Sequence, residues 1–138
     1  MTKRKRPWGV TAIALFFVFG ATMSGLAACL LWFLPGDLEF VWRVNPRGHA
    51  GLVAMGTTGV LLMLCVCIAC VTAATGLWRC SAFGYWMALA ILIVNLIGDM
   101  ANVVVMHDWR TLIGLPVGGV MIAYLVRNRK LFREHSAA

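Results

Sequence analysis

Asn95, Asp99 and Asn102 follow one another at spacings of four and three within an otherwise apolar stretch. On a helix of 3.6 residues per turn, that spacing sets one carboxylate between two amides on a single face. A charged Asp at the centre of a membrane-spanning helix costs about 2.5 to 3.5 kcal/mol on insertion scales, so this face is expected to look into a helix bundle or a water-filled cavity. Two kinds of chemistry suit it: Asp99 can carry a proton or ligate a cation, with Asn95 and Asn102 orienting it. The competing account is structural, with the three side chains hydrogen-bonding to Thr57, Thr58, Ser24 or a backbone carbonyl freed near Pro116. Hydrogen bonds in membranes average only about 0.6 kcal/mol, so a structural role alone repays an Asp poorly.

His49, His107 and Asp108, with Asp37 and Glu39, are predicted on the same outer side as this stripe and are its possible outer contributors. Their spacing matches no strong metal motif, and such groups at a lipid interface ordinarily meet headgroups. No metal site and no cofactor are expected. Cys65, Cys67 and Cys70 include a Cys-x-x-Cys spacing, but the predicted outer loops contain no cysteine to exchange with it. Small buried apolar side chains are the better account of them. The chain has no Gly-rich phosphate loop, no His-Glu-x-x-His helix and no nucleic-acid module. An enzyme acting on a lipid or quinone through His107, Asp108 and Asp99 is the least supported reading.

The elements that must hold these groups are apolar helices. Of 138 residues 62% are hydrophobic and 12% charged, against about a quarter charged in soluble domains. About 20 apolar residues cross a bilayer, and four segments offer themselves over residues 8–34, 51–75, 83–106 and 111–126. The expected fold is an all-α membrane protein, a single domain over 1–138, built as a four-transmembrane-helix bundle running up-down-up-down. Pro35-Gly36-Asp37 ends the first segment. Leu38 to Val44 is too short to span and suits the interface, as a lid-like loop or a plain connector with an aromatic anchor. The connection from His107 to Arg110 is so short that the third and fourth helices must be antiparallel neighbours. Pro116 in the fourth segment is expected to kink it.

In this arrangement nine basic residues fall on one side, among them Lys3 to Arg6, Arg79 and Arg127 to Arg133, against Arg43, Arg47 and Arg110 on the other. Basic residues stay inside, so both termini are expected in the cytoplasm, with the protein multi-pass in the cell inner (plasma) membrane. The net charge of +7 is therefore read by lipid headgroups and not by nucleic acid. Gly20, Ser24 and Ala28 form a small-residue seam, and Gly114 and Gly118 a Gly-x-x-x-Gly pair. Such seams let helix backbones approach closely, within one subunit or between subunits of a homo-oligomer. The layout resembles that of many small bacterial inner-membrane proteins, a likeness of pattern that assigns no residue a role.

The sequence thus points to a small transporter or channel-like protein binding a solute or ion near Asp99, with membrane lipids around it. A non-catalytic accessory subunit of a larger membrane complex is the alternative.

Overall fold

A computed structural model of the protein describes residues 7–33, 42–43, 46–106 and 113–133. All regular structure among them is helical. In chain order the helices are α1 (Trp8–Phe33), α2 (Pro46–Ala54), α3 (Thr57–Trp78), α4 (Ala82–Met106), α5 (Gly114–Arg127) and α6 (Lys130–Arg133). Three of them, α1, α3 and α4, are long and apolar enough to cross a membrane, with mean hydropathies of 2.1, 2.5 and 2.0. Large apolar side chains such as Ile68, Trp86, Val94 and Val104 stand roughly two-thirds exposed on them. An aqueous surface does not tolerate such continuous apolar cover, whereas acyl chains do.

The helices differ from the expected segments in three respects. The second segment does not start at Gly51, because the chain turns at Met55-Gly56, where Gly56 takes φ +56°, and separates α2 from α3. A left-handed residue cannot continue a right-handed helix, and glycine adopts it without steric cost. The fourth segment is a helix of 14 residues, about 21 Å long at 1.5 Å per residue and shorter than a bilayer core. Nor does Pro116 kink that helix. It is the third residue of α5, where its missing N–H is one that no helix start can satisfy internally.

The chain forms two compact units, Met1–Phe17 with Thr72–Ala138, and Val18–Val71. In the first, α3 and α4 meet at Gly76 and Gly84, where a β-carbon on either would overlap the other's backbone. The turn between them is closed from both sides. Ser81 N–H donates to the Gly76 carbonyl (2.9 Å) and Cys80 N–H to the Leu77 carbonyl (3.1 Å), a Schellman pattern with Cys80 left-handed at φ 52°. Ser81 then caps α4, its Oγ accepting the Gly84 N–H at 3.1 Å. Ser81→Ala should cost about 1 kcal/mol of stability, and Cys80→Gly should recover about 1 kcal/mol of left-handed strain. Denaturant unfolding of the detergent-solubilised protein measures both, and no change in either would contradict this account of the turn.

At the same end of that unit the Tyr124 ring lies over Gly9. Phe132, 1% exposed, packs against Tyr85 with ring centroids 5.1 Å apart. The start of α1, the α3–α4 turn and the end of α5 are thereby gathered together, with Arg79, Arg127 and Arg129 beside them.

In the second unit the small-residue seam of α1 receives the cysteines of α3. Cys67 Sγ donates to the Ala21 carbonyl at 3.3 Å. A β-carbon at Gly25 would stand 3.3 Å from that sulfur, and one at Gly20 would stand 3.5 Å from the Cys70 sulfur. Cys67 and Cys70 therefore act as short apolar knobs, and all five cysteines are free thiols.

Candidate functional site

Helices α4 and α5 run antiparallel, since Gly114 faces Asp99 and Gly118 faces Leu96. This pairing uses the Gly-x-x-x-Gly spacing within the subunit. At Gly118 a β-carbon would stand 3.1 Å from the Leu96 side chain, a tight approach that the end of Leu96 would have to yield to. At Gly114 a β-carbon would overlap Asp99 Oδ2. The carboxylate occupies the room that the missing side chain leaves.

The placing carries an electrostatic consequence. Gly114 is the first residue of α5, and Ile113, which precedes it, provides no capping side chain. The first N–H groups of a helix have no internal partner, and the helix dipole makes that end positive. A carboxylate from the neighbouring helix stands there instead. Asp99 is half-buried, seven residues and about 10 Å from the end of α4 at Met106.

Beside this seat opens a cleft of about 270 Å³, in which Asn95 and Asp99 are the polar side chains; Leu92, Leu96, Ile113, Val117 and Met121 form most of its wall. Its floor is completed by Gly114, Gly118 and Phe16, so all of it belongs to the first unit. An apolar pocket with a few convergent polar groups is the usual form of a small-ligand site. One carboxylate and one amide offer charge and a donor-acceptor pair, enough to hold a proton or a small cation with part of its hydration shell, against the opposing positive end of α5.

Two of the three predicted stripe residues are thus brought together. Asn95 and Asn102 are both exposed, and Asn102 is not part of the cleft wall. Ser24, considered as a partner for the stripe, donates instead to the Gly20 carbonyl of its own helix at 2.8 Å. Of the possible outer contributors, His107 and Asp108 lie outside the described residues. His49 belongs to the second unit, where its ring stacks on Trp42 with centroids 4.4 Å apart. Among the described residues no three His, Cys, Asp or Glu side chains converge as metal ligands. Sequence reasoning missed Gly114 as the seat of the carboxylate. The sequence carried no clear signal for it, because Asp99 lies eight residues before the 107–110 connection and Gly114 only four after it, so equidistance from that connection does not pair them.

Compared with protein families, with curated proteins and with solved structures, the chain has no significant match in any of them.

Proposed function

We propose that the protein is a small membrane carrier or channel-like protein that takes a proton or a small cation at Asp99. The observation that carries this reading is the half-buried carboxylate set against Gly114 in an otherwise apolar cleft with Asn95. A carboxylate at that depth has a large insertion cost, and the cleft gives it room for a ligand that tight packing would deny. Asn102, exposed one turn beyond Asp99, stands on the approach from that end of α4.

In this reading the chain is one four-span domain running up-down-up-down in the inner membrane. Both termini are cytoplasmic. Support comes from the basic residues gathered where α1 starts and α5 ends, together with the positive-inside rule. Homo-oligomers or a membrane-protein partner would cover the exposed apolar faces that lipid does not.

The experiment is flux into proteoliposomes holding a pH-sensitive dye, with sodium or potassium gradients varied in turn. Wild type should dissipate a gradient. Asp99→Asn should lower the rate by an order of magnitude or more, as loss of a proton-relay group does, while thermal unfolding stays cooperative with at most the small loss that removing a charge from the α5 start brings. Flux at the wild-type rate in Asp99→Asn would overturn the reading. The accessory-subunit reading is favoured by one observation, the exposure of both Asn95 and Asn102 on a spanning helix, since exposed amides there seek a partner. It predicts no flux in the isolated protein and loss of a co-purifying chain in Asn102→Leu.

A further inference from the structure

The second unit holds two clefts that have no part in the Asp99 site. One, of about 350 Å³, lies between the last turns of α1 and the first of α3 and includes Ala28, Trp32, Phe33, Leu61 and Leu64. The other, of about 250 Å³, includes Leu31, Val53 and Gly56. Trp32, Thr57 and Val60 belong to both, so the two form one groove that reaches from α1 and α3 to α2.

The two parts differ. In the larger cleft, among the described residues, Thr57 contributes the hydroxyl and aliphatic or aromatic side chains make up nearly all the rest, whereas the part toward α2 is more polar. A polar solute would lose its hydration in the larger cleft without repayment. The groove covers the last six residues of α1 and the first eight of α3, about 10 Å of depth from the helix ends. Trp32 and Phe33, both more than half exposed, stand at its mouth, where aromatic residues mark the border of hydrocarbon and headgroup.

The polar end is on α2. His49 and Val53 are four residues apart and share a face of that helix; Val53 lines the groove, and His49 stacks on Trp42. Arg43, next to Trp42, is exposed. An imidazole therefore stands one helical turn from an apolar groove, with an exposed cation next to its stacking partner.

We propose that this end of the unit binds one anionic phospholipid, with an acyl chain in the groove and the phosphate beside Arg43 and His49. The charge fits a phosphate, the groove fits a hydrocarbon tail, and their separation of about one turn, near 6 Å, fits the glycerol that joins the two. Trp32 and Thr57 face the ester region between them. The site is independent of Asp99, and so is its test.

Native mass spectrometry of the full chain in mild detergent, titrated with phosphatidylglycerol or phosphatidylcholine, reads it directly. Wild type should retain a single saturable phosphatidylglycerol adduct. Leu61→Trp, at an exposed position in the groove, should weaken retention of both lipids about ten-fold by displacing two or so methylenes of contact. Arg43→Gln should weaken phosphatidylglycerol about five-fold, the equivalent of about 1 kcal/mol per basic group at an anionic lipid, and leave phosphatidylcholine unchanged. Both substitutions are on exposed side chains, and an unchanged melting temperature confirms the fold in each. Equal retention by wild type and both variants would overturn the proposal, as would a tightly held species with the mass of a quinone or an isoprenoid.

Discussion

Gly84→Val is expected to abolish the α3–α4 pairing, with a stability loss of about 3 kcal/mol or more. The reason is the nature of the neighbour. A β-carbon on Gly84 would meet the Cα and carbonyl carbon of Gly76 and the nitrogen of Leu77, and backbone cannot rotate aside as a side chain can. Relief requires the helices to separate, which also strains the Ser81 N–H bond to the Gly76 carbonyl and loosens the Schellman turn that ends α3. Membrane helices gain their association from close packing and not from water exclusion, so separation forfeits the interaction itself. Gly76→Val should behave alike, because the approach is mutual. Gly98→Ala is the control: no neighbour stands within 4 Å of a β-carbon there, and exchanging glycine for alanine in a helix stabilises by up to about 1 kcal/mol. Unfolding in detergent by a graded denaturant distinguishes the three. A Gly84→Val protein as stable as wild type would refute the close crossing.

How far the sequence was legible follows from the same elements. The long apolar helices were readable because length and composition alone define them, and α1 and α4 match the expected segments within a residue or so at each end. The break at Met55-Gly56 was not, since a lone glycine in an apolar run has no local mark that separates a packing residue from a left-handed turn. Pro116 misled for a related reason: whether a proline kinks or starts a helix depends on where the helix begins. With α5 starting at Gly114, three residues after the expected boundary, the kink disappears. The polar stripe was legible as a face but not in its burial. Asn95 and Asn102 are two turns apart and share a direction, yet only Asn95 lines the cleft with Asp99. Described α5 begins opposite Asp99, so no described residue of that helix stands beside Asn102. Periodicity reports where side chains point, and only the partner helix decides how far along that face anything covers them.

Gly114→Val should drive Asp99 from its seat, and the size of the effect should depend on whether Asp99 is a carboxylate or a smaller side chain. In the wild-type background the added carbons occupy the volume of Asp99 Oδ2, and the helix start loses the negative group that stands in place of a cap. About 2 to 3 kcal/mol of destabilisation is expected from overpacking and the displaced charge together. In the Asp99→Ala background the three atoms nearest the added β-carbon are gone. The two substitutions should therefore couple, the double variant being more stable than the sum of the singles by about 1 to 3 kcal/mol. A double-mutant cycle on denaturant unfolding measures this, with Gly118→Ala, which presses on Leu96 instead, as the uncoupled comparison. Strict additivity between positions 99 and 114 would remove the seat and with it the geometric basis for a ligand at Asp99. Coupling in stability joined to a flux lost in both Asp99→Asn and Gly114→Val would show more. A carboxylate present only to hold α5 has no reason to govern an ion's passage, whereas one that binds the ion must govern it whenever the seat is disturbed.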